Sequence, residues 1–275
     1  MLEDLGKENS RFVITIEVVP PGGNDISPLM AELNSLSDSQ FDGFSVATNP
    51  VAKARMSAMA TATVLQKKTG RPAVFHCTTR DHNRISLQGE LWGAKALGLS
   101  TVMVATGDRV ALADKGIVSN VSDLDVYDLI KMARDAELFT GVVFDTHPER
   151  DGLEQAVARL KKKVEAGAQY VVTQPVYDQS AADVIYEKTR GIGIPVILGI
   201  LPLRTLRHAI FLHDKVSGIA VPEAVINRME NAEDSVAEGI INASEMLVIA
   251  KERFAGACIM PPFDHYEVMP KILIG

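Results

Sequence analysis

Cysteine is scarce in this sequence, and long apolar segments are missing. The two cysteines, Cys77 and Cys258, lie far apart and lack the CxxC or Cys/His spacing of a zinc site. No apolar run approaches the roughly 18 residues that span a bilayer. Because there is also no signal-peptide pattern, two isolated thiols favour a reducing compartment. We therefore expect a cytoplasmic protein that needs no disulfide or metal to fold and that has no membrane partner.

Clusters of positive charge are equally scarce. Lys161–Lys163 is the one run of three consecutive lysines, and the formal net charge is −7. These features argue against nucleic acid as the main partner, and against an anionic membrane surface. They do not exclude an anionic small molecule, because local geometry can override the net charge.

The chain also lacks linkers, low-complexity tracts and short-period repeats. Its 275 residues are 47% hydrophobic and 23% charged, as in an ordinary globular protein. This length lies within the usual range for one α/β barrel domain, about 250 residues. We predict a single domain over residues 1–275.

Short apolar runs rich in β-branched residues alternate with amphipathic segments. Their near-continuous apolar character is typical of strands buried on both faces. Apolar residues at helical spacing predict helices over Val51–Thr69, Asn83–Leu97 and Leu153–Ala166, and two helices within Pro222–Arg253. The eight predicted strands are Phe12–Val18, Gly43–Ala47, Ala73–Thr78, Thr101–Ala105, Thr140–Phe144, Tyr170–Thr173, Val196–Ile200 and Ala255–Met260.

This alternation predicts parallel βαβ units that close into an α/β fold, the (β/α)8 TIM barrel. The alternative is an open doubly wound sheet, which often carries a G-x-G-x-x-G turn after its first strand. Here the first strand is followed by Pro20-Pro21-Gly22-Gly23. Because two prolines prevent a helix from beginning there, the sequence favours the barrel.

Polar residues follow most of the predicted strands. In this barrel fold the chemistry lies at the C-terminal ends of the strands. Six of the eight strands bring an ionisable or amide group to that rim. These groups include Glu17, His76, Asp108, His147, Gln174 and His265.

Glu17 is the sharpest candidate for catalysis. Its carboxyl lies within an apolar strand, where lost solvation disfavours the charged form and raises the pKa. A carboxylic acid that keeps its proton near neutral pH is what general-acid catalysis requires. The alternative is a buried ion pair with an arginine such as Arg80.

Three other rim residues each have a functional and a structural interpretation. Asp108 follows a glycine in a tight turn, where it either accepts from a ligand N–H or caps the turn. His76 shares a strand face with Thr78, and either binds a cofactor or is a satisfied core histidine. Gln174 either reads a pterin-like ring edge, as both donor and acceptor, or caps a loop.

Two further kinds of site receive little support. A metal site built from His76, His147 and His265 matches no motif. Cys77 lies in mid-strand, with its side chain expected to point away from that of His76, and it has no obvious activating base. We therefore predict neither a metal centre nor a cysteine nucleophile.

Taken together, these segments resemble the methylenetetrahydrofolate reductase family over nearly the whole chain. The order and spacing of the motifs carry the resemblance more than any single motif. The chain length, without a C-terminal regulatory domain, is similar to that of the short bacterial forms. The matching segments are Ile16–Pro21, His76–Asp81, Thr106–Asp108, Lys163–Ala168, Val172–Pro175 and Gly199–Pro202.

The resemblance implies a flavin, FAD or FMN, and a tetrahydrofolate derivative at the strand ends. NAD(P)H would reduce the flavin, which would reduce 5,10-methylenetetrahydrofolate to 5-methyltetrahydrofolate for methionine biosynthesis. Glu17 would be the general acid, and Asp108 would contact the flavin and orient the folate. Flavin-binding positions would also include His76, Thr106, Gly107, His147 and Lys163. Folate-binding positions would be Gln174, Tyr177, His208 and His265.

The sequence departs from the family pattern at four positions. Ala47 replaces a flavin-contacting threonine, and Val143 replaces an aromatic residue. His208 and His265 stand where the family has a folate-contacting amide and an arginine. These changes keep two alternatives open: a flavin-independent tetrahydrofolate methyltransferase or demethylase, and a subunit of a larger redox complex. A homo-oligomer is equally compatible with the sequence.

Overall fold

Eight parallel strands close into a barrel in chain order. The computed structural model describes residues 2, 11–108, 118, 119, 121–147, 152–216, 218–262 and 265–274. Each strand pairs with its sequence neighbour, and the last pairs with the first. The TIM barrel is confirmed, and every predicted strand end lies within two residues of the observed one. The strands are β1 (Val13–Val18), β2 (Gly43–Val46), β3 (Ala73–Thr78), β4 (Thr101–Ala105), β5 (Phe139–Phe144), β6 (Tyr170–Pro175), β7 (Val196–Ile200) and β8 (Gly256–Ile259).

Helices surround the barrel and pack their apolar faces on it. Asn83 caps the helix that begins at Arg84 by accepting a hydrogen bond from the Ser86 N–H, and Gly98 follows the end of this helix in a left-handed conformation. Among the helices of the described residues, none is long and apolar enough to cross a membrane. The helices are α1 (Ser27–Leu33), α2 (Ala58–Thr69), α3 (Arg84–Ala96), α4 (Val126–Asp135), α5 (Gly152–Glu165), α6 (Gln179–Thr189), α7 (Leu206–Lys215), α8 (Glu223–Asn231), α9 (Ser235–Arg253) and α10 (Met269–Leu273).

Three of the four helix predictions are confirmed, and one is wrong at its start. The segment Val51–Thr69 was expected to be one helix, but α2 begins at Ala58, where Ser57 accepts a hydrogen bond from the Ala60 N–H. The preceding residues form a short 3-10 turn in which Val51 and Ala52 have φ of 50° and 56°. A left-handed backbone cannot continue a right-handed helix, so contacts at the barrel rim override the local pattern.

The interior of the barrel is filled below the rim. The ring of Tyr170 lies where a Gly141 side chain would be, since a Cβ there would fall 2.0 Å from the Tyr170 Cζ. Phe139 stacks on that ring with centroids 5.4 Å apart. The same layer contains Val74, Met103, Ile197 and Cys258. This packing fills the barrel interior below the C-terminal rim.

Candidate active site

A cavity of about 330 Å3 opens at the C-terminal ends of the strands, within the usual size range of ligand sites. Five of the predicted site residues line it: Glu17, His76, Gly107, Asp108 and Gln174. They come from β1, β3, the β4–α4 connection and β6. Parallel strands bring these distant positions together because their carboxyl ends meet at one rim.

Glu17 is half-buried on β1 and faces the cavity. Its register partner on β2 is Ser45, which also lines the cavity. The thiol of Cys258 is close enough that the charge of Glu17 adds to the burial that raises the cysteine pKa to about 12. Arg80, the ion-pair partner considered above, is bound by Asp81. Glu17 therefore presents its carboxyl to a cavity that both polar and apolar side chains line.

His76 and Ser45 are hydrogen-bonded across neighbouring strands. The Ser45 Oγ lies 2.8 Å from the His76 Nε2. Burial lowers the pKa of His76 to about 4, so the ring is neutral at physiological pH. A neutral imidazole donates through one nitrogen and accepts through the other. His76 thus lines the cavity, and one of its ring nitrogens already has a hydrogen-bond partner in Ser45. This position is compatible with both interpretations, a ligand-binding residue and a hydrogen-bonded core histidine.

The two thiols are buried and free. Burial raises the pKa of Cys77 and of Cys258 to about 12, so both remain protonated and poorly nucleophilic near neutral pH. Within the described residues, no group of three or more histidines, cysteines or acids is placed to hold a metal ion. The polar side chains that line the rim cavity carry carboxyl, imidazole, amide, hydroxyl and thiol groups.

Asp108 projects from a tight turn after β4. Gly107 has φ of +90°, a conformation that glycine adopts without strain. The Asp108 Oδ2 accepts a 2.6 Å hydrogen bond from the Val51 N–H. The carboxylate thus caps the β2–α2 loop, and Asp108 also lines the cavity. Both interpretations of Asp108, as a cap and as a residue that faces a ligand, are compatible with this position.

Arg80 and Asp81 form an ion pair at this rim that the sequence analysis did not identify. The guanidinium donates from Nε and Nη2 to the two carboxylate oxygens of Asp81, at 2.6 and 2.7 Å. Its remaining contacts are with backbone carbonyl oxygens, those of Asn49 at 3.2 Å and Asp108 at 3.0 Å. The Arg80-Asp81 dipeptide after a strand is the one local sign of this ion pair. The other contacts of Arg80 are with loops distant in sequence, which the sequence does not indicate.

Gln174 is aimed by an irregularity between β6 and β7. The register between these strands shifts between Val172 and Pro175, which re-aims side chains locally. Gly199 of β7 approaches so closely that a Cβ would lie 2.4 Å from the Thr173 O. Its N–H donates to the Thr173 Oγ1 at 2.9 Å. The Gln174 side chain is half-buried and lines the cavity.

Two predicted residues line a different cavity. This second cavity, of about 570 Å3, lies beside α6 and includes His147 and Tyr177 in its lining. Burial lowers the pKa of His147 and raises that of Tyr177. The Tyr177 hydroxyl is buried and has no hydrogen-bond partner among the described residues. Roles for these residues in cofactor or substrate binding remain predictions.

Four more predicted residues lie outside the described lining of the rim cavity. Lys163 of α5 donates from Nζ to the Val143 O at 2.7 Å, and Val143 itself lines the cavity. His208 is buried near the start of α7, where its N–H donates to the Thr205 Oγ1. His265 Nδ1 lies 2.7 Å from the Glu267 Oε1. Thr106 is exposed in the turn before Asp108.

The sequence analysis did not identify Ser45 and Cys258, among other cavity residues, as site residues. Ser45 and Cys258 are buried and line the rim cavity from β2 and β8. The alternation of side chains along a strand was the usable signal, because Ser45 is two residues before Ala47 and Cys258 two before Met260.

Comparisons with known proteins agree with this geometry. The family profile of methylenetetrahydrofolate reductase matches residues 2–256. A 5,10-methylenetetrahydrofolate reductase of Pectobacterium carotovorum is 23% identical over 208 residues, 74% of this chain and 69% of that protein. One of Buchnera aphidicola from Acyrthosiphon pisum is 23% identical over 260 residues, 92% and 86% of the two chains. A Clostridium thermocellum protein structure that binds two copies of 5-methyl-5,6,7,8-tetrahydrofolic acid has a TM-score of 0.68, with 17% identity and coverage of 96% and 93%.

Proposed function

The chain belongs to the methylenetetrahydrofolate reductase family of oxidoreductases, and we propose that it reduces 5,10-methylenetetrahydrofolate to 5-methyltetrahydrofolate. The observation that carries this proposal is the convergence of Glu17, Asp108 and Gln174, from three separate strands or strand ends, on one cavity. The reaction consumes NAD(P)H and one proton, and it uses a bound flavin, FAD or FMN. We further propose that it serves methionine biosynthesis in the cytoplasm.

Glu17 is the proposed general acid. Opening the one-carbon bridge of the folate breaks a C–N bond, and the departing nitrogen needs a proton. The carboxyl of Glu17, which lines the cavity together with Ser45 and Met260, would supply that proton. The buried thiol of Cys258 contributes no competing acid, because burial keeps its pKa at about 12.

Gln174 and Asp108 are the proposed recognition groups. An amide offers a donor and an acceptor on one rigid plane, which matches the mixed edge of a pterin ring. An ionised carboxylate only accepts, so Asp108 selects ligand N–H groups. The Val51 N–H already holds one Asp108 oxygen at 2.6 Å and thereby fixes the direction of the carboxylate.

The residues of the cavity are chemically suited to a flavin. When bound, the flavin supplies hydride transfer between the nicotinamide and the one-carbon unit. The neutral ring of His76 and the hydroxyl of Thr78 offer hydrogen bonds on one strand face, and Asp108 accepts at the mouth. Lys163 provides a partly buried cation behind Val143 for a phosphate group. Ala47 and Val143, two positions at which the sequence departs from the family pattern, also line this cavity.

A visible absorbance spectrum tests the flavin part of the proposal. We expect purified protein, incubated with FAD or FMN and freed of excess, to retain a flavin spectrum that bleaches with NADH or NADPH. Retention of 5-methyltetrahydrofolate without any flavin would instead favour the flavin-independent methyltransferase or demethylase. In that case Ala47 and Val143, which line the cavity, would account for the difference.

The variant Glu17→Gln tests the acid. We expect turnover to fall by about 10²–10⁴-fold while flavin remains bound, because the amide cannot release a proton. Glu32→Gln, on the exposed side of α1, is the matched control and should keep full activity. Normal turnover of Glu17→Gln would remove Glu17 from this role.

A further inference from the structure

We propose that Arg80 is a positioning residue that holds Asp108 and the β2–α2 loop in their ligand-binding arrangement. The geometry stands without reference to any ligand, whereas the consequence for folate affinity rests on the proposed function. Arg80 does not line the rim cavity as described, so it acts through the residues that do.

The guanidinium of Arg80 joins three rim loops. Its bidentate contact with Asp81 fixes its plane within the β3–α3 loop, at 2.6 and 2.7 Å. From that plane, Nη2 reaches the carbonyl of Asn49 in the β2–α2 loop, and Nη1 reaches the carbonyl of Asp108 after β4. The side chain is only 6% exposed, so water competes little for these contacts.

The hydrogen bonds form a closed circuit around the carboxylate of Asp108. Asn49 donates from Nδ2 to the Asp81 Oδ2 at 3.0 Å, and its Oδ1 accepts from the Arg55 N–H at 2.9 Å. Two residues after Asn49, the Val51 N–H donates to the Asp108 carboxylate. Arg80 donates to the backbone carbonyl of Asp108. Each loop therefore supports the next, and Arg80 lies at the centre.

Backbone strain shows that the loop needs this support. Asn49, Val51 and Ala52 all have positive φ, of 42°, 50° and 56°. Such a conformation is unfavourable for a β-branched residue, and it persists only where the surroundings over-determine it. On the other side, a Cβ at Gly107 would lie 3.2 Å from the Arg80 Nη1, so glycine allows the guanidinium to lie against the turn.

Amide hydrogen exchange tests the positioning role without any ligand. The variant Arg80→Lys keeps the charge but loses the planar fork that makes several contacts at once. We expect the segment 49–52, which contains the Val51 amide, to exchange at least about tenfold faster than in the unaltered protein. Unchanged exchange in a folded Arg80→Lys protein would overturn the proposal.

Two further variants make the exchange result specific. Arg71→Lys is the matched control, because Arg71 also holds backbone carbonyls, of Phe41 and Ser39, but next to the start of β3. It should leave segment 49–52 unchanged, and an equal effect there would contradict the proposal. If Arg80→Lys does not fold, Asp81→Asn replaces it, because it weakens the bidentate contact that fixes the plane of the Arg80 guanidinium. Unchanged exchange in that folded variant would equally overturn the proposal.

A double-mutant cycle then tests the link to ligand binding. We expect Arg80→Lys to weaken binding of 5-methyltetrahydrofolate about tenfold in the unaltered background, and less than about twofold in the Asp108→Asn background. Independent, additive losses would show that Arg80 does not act through Asp108. If the unaltered protein binds no folate, the proposed function fails, and hydrogen exchange still decides the role of Arg80.

Discussion

The Oγ of Ser45 lies 2.8 Å from the Nε2 of His76 and joins β2 to β3 inside the barrel, at the wall of the rim cavity. In a neutral imidazole one nitrogen donates and the other accepts. If Ser45 donates to Nε2, Nδ1 is the donor, and if Ser45 accepts from Nε2, Nδ1 is the acceptor. The pair therefore sets which kind of ligand group His76 can meet.

Removing this hydroxyl should destabilise the protein. In Ser45→Ala, a buried imidazole nitrogen loses its partner, and we expect a loss of about 1–3 kcal/mol in the free energy of unfolding. Urea denaturation measures it. Ser86→Ala is the control, because it breaks an exposed serine–histidine contact, the 3.1 Å one with His82, and should change stability by less than about 0.5 kcal/mol. Equal losses of stability in the two variants would show that burial of the Ser45–His76 contact does not add to its contribution.

Acid should destabilise the protein through two buried histidines. Burial lowers the pKa of both His76 and His208 to about 4, below the unfolded value near 6.5. Between these pH values the unfolded chain binds more protons than the native one, so stability is complete above about pH 6.5 and is lost as the pH falls towards 4. Denaturation midpoints measured against pH test this.

Variants assign that pH dependence to particular residues. His76→Gln and His208→Gln should each reduce the slope of stability between about pH 4 and 6.5, because each removes one group with a lowered pKa. His213→Gln, exposed on α7, serves as the control and should leave the slope unchanged. A slope that survives in both of the first two variants would show that other groups cause it.

The contact between Gly141 and Tyr170 should not tolerate a methyl group. A Cβ at residue 141 would lie 2.0 Å from the Tyr170 Cζ, so Gly141→Ala forces the ring out of its stacked position. We expect a loss of about 1–3 kcal/mol in denaturation experiments. Gly89→Ala on the exposed face of α3, where a Cβ meets nothing within 4 Å, should instead stabilise by up to about 1 kcal/mol. A neutral Gly141→Ala would mean that the barrel interior rearranges freely.

Flavin affinity should depend on the charge of Lys163. Burial lowers the pKa of this ammonium group to about 8, so its charge is lost as the pH rises through that value. We expect FAD or FMN to bind at least about tenfold more weakly above it. Fluorescence titration at several pH values measures this, and Lys163→Arg should retain affinity to higher pH.

A neighbouring lysine supplies the control for that prediction. Lys163→Met should weaken flavin binding at every pH, whereas Lys162→Met, on the exposed side of α5, should not. Affinity that is constant to pH 10, or equal losses in the two methionine variants, would exclude a phosphate contact by Lys163.

The sequence by itself determined the barrel and the main rim residues. Buried parallel strands are apolar on both faces, so runs such as Thr101–Ala105 and Val196–Ile200 are visible without any partner strand. Because the fold places strand C-termini at one rim, the positions of Glu17 and Gln174 in the cavity follow from their place along the chain. These features depend on local pattern and on one rule of topology.

The tertiary structure decided the contacts between loops. Three features depend on hydrogen bonds between different βα units: the left-handed turn before α2, the contacts of Arg80 with neighbouring loops, and the cap of Asp108 on Val51. Such bonds join residues 31 and 57 positions apart and leave no periodic signal in the sequence. Local composition predicts how a strand or helix begins, but only the closed barrel determines which loops meet and hence how the rim is held.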